Sequence, residues 1–154
     1  MIRAAGALSG LVGGLLVAGC ASSGGPVAVD GMWAYAPEHM QVHPLTRHDA
    51  DNNTLEVRIE LLDNDDVSCR GIGTLEVVAN RPNGGLPLVE RISIDLDNPE
   101  TNLATYDDVT RTYRVTVPLD NVEVLPDQVA LKVTFTPRHR GPMTVTRRIS
   151  MRSQ

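Results

Sequence analysis

The sequence predicts an all-β protein, and three observations carry that prediction. Apolar and polar residues alternate with a period of two in window after window, as in strands with one face buried and the other wet. No window repeats apolar residues at spacings of three and four for long enough to give a helix with a buried face. Pro and Gly punctuate the gaps, as in Arg81-Pro82-Asn83-Gly84-Gly85, Leu125-Pro126-Asp127 and Gly141-Pro142. Only 3% of the 154 residues are aromatic, so the core must be built from Val, Leu and Ile.

Taken in order, Met40 and Val42 mark a short first strand. The second is the clearest: Leu55, Val57, Ile59 and Leu61 alternate with Glu56, Arg58 and Glu60. Leu75, Val77 and Ala79 define a third, and Ile92, Ile94 and Leu96 a fourth. Tyr113, Val115 and Val117 give the fifth, with Tyr113 inward between Arg111 and Arg114. Val129, Leu131, Val133 and Phe135 give the sixth, and Val145, Ile149 and Met151 the seventh. The outward residues, Arg58 and Lys132 among them, are expected to be solvated and to matter little to stability. Seven short antiparallel strands in residues 39–154 point to a two-sheet β-sandwich of immunoglobulin-like plan. A small barrel or a transthyretin-like sandwich is the alternative, and no fixed repeat supports a propeller or solenoid.

The N-terminus has a different character. Met1-Ile2-Arg3 precedes an uncharged run from Ala4 to Gly19, rich in Ala, Gly, Leu and Val, and then Cys20. This is the plan of a secretory signal, too short and too Gly-rich for a spanning helix of about 20 apolar residues. The run Leu16-Val17-Ala18-Gly19-Cys20 resembles the lipobox of bacterial lipoproteins. That resemblance implies cleavage after Gly19 and lipidation of Cys20, a membrane anchor made of acyl chains rather than protein. Ala21, rather than Asp, follows the cysteine, which in that family implies sorting to the outer membrane of a two-membrane envelope, facing the periplasm. The expected division is residues 1–19 signal peptide, 20–38 lipidated cysteine and flexible tether, and 39–154 sandwich domain. Trp33 and Tyr35, near the end of the tether, are expected to dock on the domain.

Charge excludes one function class and singles out one region. Without Arg3 the chain carries 13 basic and 19 acidic residues, a net of −6, which argues against nucleic acid as a partner. Past Asp127 there are six basic residues and no acid, so the last strands are expected to lie beside acidic ones and pair with them. If successive strands alternate in direction, residues 63–72, 97–110 and 137–142 gather at one pole. These bring Asp63, Asp65, Asp66, Asp97, Asp107 and Asp108 together with Arg138 and Arg140. The arginines are expected to neutralise the aspartates of the neighbouring loops. Alternatively, the pole binds calcium, whose oxygen ligands the run Asp63-Asn64-Asp65-Asp66 offers, or an anionic envelope glycan.

Other chemistry is sparse. His39, His43 and His48 match no compact zinc spacing, and Pro44 interrupts them, so no metal is expected there. With Cys20 lipidated, Cys69 has no disulfide partner and reads as a small core residue. There is no Gly-x-Ser-x-Gly elbow, phosphate loop or His-Glu-x-x-His motif, so no catalytic residues and no cofactor are assigned. His43-Pro44-Leu45-Thr46-Arg47, and the stretch from Tyr106 to Arg114, resemble segments of an uncharacterised family of bacterial lipoproteins. That resemblance implies a shared sandwich and no known activity. The expected function is a non-catalytic lipid-anchored envelope protein, an interaction or structural module whose partner is an envelope protein or glycan.

Overall fold

The computed structural model describes residues 36–84, 87–120, 122 and 124–151. Its elements are β1 (His39–Val42), β2 (Arg47–Asp49), β3 (Thr54–Leu62), β4 (Ser68–Cys69), β5 (Gly73–Asn80), β6 (Ile92–Asp95), α1 (Pro99–Thr105), β7 (Tyr106–Asp107), β8 (Thr112–Pro118), β9 (Gln128–Pro137) and β10 (Met143–Ser150). Two antiparallel sheets result. In the first, β3 carries β1 and β2 along one edge and β8 and β4 along the other, with β7 beyond β8. The second runs β10-β9-β5-β6. The chain crosses between sheets from β4 to β5, from β6 to β7 and from β8 to β9.

The period-two pattern places the core between the sheets. Leu55, Val57, Ile59 and Leu61 of β3 face Leu75, Val77 and Ala79 of β5 and Val129, Leu131, Val133 and Phe135 of β9, all essentially without exposure. Tyr113 is inward and fully buried on β8. Strands at the sheet edges are only half covered, which leaves Met40, Ile92, Ile94 and Val145 partly exposed.

Three expectations need correction. Among the described residues the strands number ten rather than seven, because β2, β4 and β7 are two or three residues long and carry too little alternation to be read. A helix is present: α1 starts at Asn98, whose side chain accepts from the Glu100 and Thr101 amides at 2.9 and 3.2 Å, with Pro99 in the first turn. Only seven residues long, it buries Asn102 rather than an apolar stripe, so no helical periodicity marks it. Arg58, expected in solvent, has a side chain only 13% exposed, because Glu56 and Asp107 close over it.

Two glycines fix how β4 leads into β5. Gly73 has φ of 146°, and a Cβ there would stand 2.1 Å from the Thr136 carbonyl oxygen. A Cβ on Gly71 would meet Phe135 Cζ and Leu61 Cδ1 at 2.6 Å. Close approach of backbone to backbone here lets the 63–72 loop seat against the end of β9.

Candidate functional site

The three loops do meet at one pole. Arg70 of the first loop pairs with Asp108 of the second at 2.8 Å, and Arg138 of the third pairs with Asp97 of the second at 3.4 Å. The Arg138 amide donates to the Ile72 carbonyl at 3.3 Å. Beneath them lies a buried polar network. The Asn102 carboxamide donates to the carbonyls of Gly71 and Leu96, both at 2.8 Å, and accepts from the Tyr113 hydroxyl at 3.0 Å. The Gly71 amide donates to the same hydroxyl at 2.9 Å. Burial pushes the Tyr113 phenol up to about 12, so it serves as a neutral donor and acceptor.

The acids of the pole are committed to separate tasks. Asp63 accepts from the amides of Asp65 and Val67 at 3.0 and 2.9 Å, which ties its own turn. Asp107 accepts from Arg58, from the Val109 amide at 3.0 Å and from the Thr110 amide at 3.2 Å. Those bonds, Arg58 foremost, hold its carboxyl down to about 2. Asp65 and Asp66 are exposed on the turn, Asp66 with φ of 59°. Among the described residues no group of three or more His, Cys, Asp or Glu side chains is placed to hold a metal ion. His43 and His48 likewise part company: Nδ1 of His43 accepts from the Leu45 amide at 3.2 Å, while Nδ1 of His48 donates to the Met151 carbonyl at 3.0 Å.

The basic C-terminal stretch departs from the expected cross-strand pairing. Arg138 does neutralise a loop aspartate, but Arg140 pairs with Glu38, where the described chain enters the domain. Lys132 stands opposite Val78 and Thr146, and Arg148 opposite Ala130, none of them acidic. Arg147 reaches across the side of the sandwich and donates to the Val42 carbonyl. Arg152, Cys20, Trp33 and Tyr35 lie outside the described residues. Replacing Arg138 and Arg140 together by Ala is expected to lower the melting temperature by a few degrees, more at low than at high salt, because both pairs are half exposed and screened. An equal melting temperature at low ionic strength would show that these pairs do not help hold the pole.

Cys69 is buried, and desolvation pushes its thiol up to about 11, so at neutral pH it is a protonated core group without nucleophilic character.

One concavity has no counterpart in the sequence reading. A groove of about 900 Å³ opens between residues 44–52 and Arg147, Arg148, Ile149 and Ser150 of β10, with Glu56 and Arg58 in its lining. It lies at the end of the sandwich opposite the charged pole, since β3 begins beside it and ends at the pole. Two segments a hundred residues apart build it, and no local motif announces such a site. No protein-family profile, curated protein or solved structure matches this chain.

Proposed function

We propose that this chain is a non-catalytic, lipid-anchored protein of the cell envelope whose immunoglobulin-like β-sandwich serves as an interaction module. The observation that carries the reading is Leu16-Val17-Ala18-Gly19-Cys20, placed after a basic start and a short apolar run. In this reading Cys20 becomes the lipidated first residue, held in the outer membrane and facing the periplasm. The order β1-β3-β8 against β10-β9-β5-β6, all antiparallel, supports the immunoglobulin-like plan.

The fold adds an orientation. Glu38 sits at the charged pole, where its amide donates to the Leu62 carbonyl at 2.8 Å, so an anchor at Cys20 reaches the domain from that end. Fifteen residues separate Cys20 from position 36, a reach of at most about 58 Å. The groove lies at the end of the domain opposite this point of entry. The pole itself is better read as an attachment end than as a calcium site, because Asp63 and Asp107 are occupied by amide donors and Arg58.

Fractionation of cells expressing the full chain tests the anchor. The parent is expected in the membrane pellet and released by detergent but not by high salt, while Cys20→Ser is expected to leave the membrane pellet or to persist uncleaved. Release of the parent by salt alone would contradict a lipid anchor.

A further inference from the structure

We propose that β6 is a docking edge for a second copy of this chain: two β6 strands pair antiparallel about Ser93 and join the second sheets of both copies into one. The pairing goes beyond the function proposed above and does not require the anchor.

The hydrogen-bond phase of β6 identifies the backbone groups that lack a partner. Among the described residues β5 is the one strand paired with it, Leu75 opposite Ile94 and Val77 opposite Ile92. The Leu96 amide donates to the Gly73 carbonyl at 2.8 Å, which continues the same register and makes Gly73 and Leu96 a hydrogen-bonded pair. In an antiparallel ladder such pairs alternate with non-bonded ones, so Ile92 and Ile94 also turn their backbone groups to β5. Those of Arg91, Ser93 and Asp95 point away from it, and among the described residues nothing pairs with them. The usual guards of an edge are missing as well. On β10, at the other end of this sheet, the inward phase carries Arg147, whose bond to the Val42 carbonyl ties that edge to the first sheet. On β6 the inward phase carries Ile92 and Ile94, both partly exposed, with no Pro and no inward charge.

The edge is complementary to itself. Pairing about Ser93 sets the outward backbone groups of Arg91, Ser93 and Asp95 against those of Asp95, Ser93 and Arg91 of the second copy, and each of these pairs exchanges two bonds. On the outer face Arg91 stands opposite Asp95 at both ends of the pairing. On the inner face Ile92 stands opposite Ile94 in the closer, non-bonded positions, where each covers the exposed side of the other. Arg91 already gives Nη1 to Glu76 at 3.0 Å, but its side chain is 64% exposed, and the remaining donors of the guanidinium can meet a second carboxylate from the side of the new strand. Asp95 spends Oδ1 on the Asp97 amide at 2.9 Å and keeps Oδ2. Glu90 and Asp97, next along the chain, fall opposite Leu96 and Val89, so no acid meets an acid. Pairing about Arg91 or about Asp95 uses the same backbone phase but sets two arginines or two aspartates face to face. Antiparallel pairing points the charged poles of the two copies in opposite directions. A tether of up to about 58 Å exceeds the length of β9, whose ten residues span about 33 Å, so both copies can be anchored in one membrane.

Disulfide trapping in membranes of cells expressing the full chain tests the pairing. Ser93 faces its own copy across the two-fold axis with Cα atoms about 5.5 Å apart, within disulfide reach. Under mild oxidation Ser93→Cys is expected to run as a dimer on a non-reducing gel. The parent, whose cysteines are Cys20 and the buried Cys69, and Thr146→Cys, exposed on β10, are expected to run as monomers. Added to Ser93→Cys, Arg91→Asp and Asp95→Arg are each expected to cut cross-linking about tenfold, since each sets like charges opposite one another at both ends of the pairing. Expressed together, the two variants are expected to cross-link to each other, because each supplies the charge that the other lacks. The proposal is overturned by no cross-link in Ser93→Cys, by equal cross-linking in Thr146→Cys, by indifference to the single charge reversals, or by failure of the two together to restore the dimer. An adduct whose mass is not twice that of the chain would make another protein the occupant and overturn it as well. All of these outcomes read Ser93 and its neighbours, so the anchor at Cys20 is judged separately by fractionation.

Discussion

Replacing Gly73 by Ala is expected to destabilise the domain by about 4 kcal/mol or more, a large part of a total stability of about 5–15 kcal/mol. Two independent effects act in the same direction. The φ of 146° is a conformation that an L side chain rarely adopts. The new Cβ would also stand 2.1 Å from the Thr136 carbonyl oxygen and 2.8 Å from the Pro137 Cα, both backbone atoms that cannot step aside without breaking the pairing of β5 with β9. Gly84, with φ of 83° but open space around it, isolates the conformational part. Gly84→Ala is expected to cost about 1 kcal/mol. Urea unfolding of the two variants checks the contrast, and equal midpoints would mean that the Gly73 approach is not as close as described.

The second large effect lies in the network under the charged pole. Asn102→Ala removes two donated bonds and one acceptor at once in a buried site, taking its donor from the Leu96 carbonyl and leaving the Gly71 carbonyl and the Tyr113 hydroxyl only their longer bond to each other at 3.3 Å. At about 1–3 kcal/mol for a buried polar group left unsatisfied, a loss of about 3–4 kcal/mol is expected. Tyr113→Phe keeps the ring, which packs edge-on against Tyr106 at 5.0 Å, but takes away the acceptor of the Gly71 amide. A loss of about 2 kcal/mol is expected. The two share partners, so the double variant should lose clearly less than their sum. Strict additivity in thermal or urea unfolding would show that the bonds do not act as one unit.

How far the sequence exposes this structure differs from element to element. β3, β5 and β9 are legible because each is long and has one face on the core, so alternation survives over eight to ten residues. β2, β4 and β7 are not, since two or three residues cannot display a period. α1 hides because its buried residue is an amide; its trace is the capping signature Asn98-Pro99-Glu100, a chemical signal rather than a periodic one. Alternating strand direction is enough to gather the three loops at one pole. Which acid meets which base is not, because side-chain reach and turn chemistry decide it. Asp63 and Asp107 turn back onto their own loop amides, and Arg140 finds Glu38 across a hundred residues of chain.

Arg58 is the instructive case. The alternation correctly points it away from the core, yet outward does not mean solvated. Its guanidinium lies between Glu56 and Asp107 and donates to the Thr110 hydroxyl at 3.0 Å, so β3 is tied to the 107–110 turn over the outer face of the first sheet. Lys132, at the same phase on β9, is exposed as expected. The groove was equally beyond local reading, because it exists only where the interruption between β1 and β2 faces the edge of β10.

Fatty-acid labelling is the most direct test of the central claim, that a lipid on Cys20 places this sandwich in the envelope. Cells expressing the full chain are grown with a radioactive fatty acid, and the protein is recovered under denaturing conditions. The parent is expected to carry label and to migrate as the chain shortened by its first nineteen residues, while Cys20→Ser carries none. Label of equal intensity on Cys20→Ser, or an unlabelled parent, would contradict the claim.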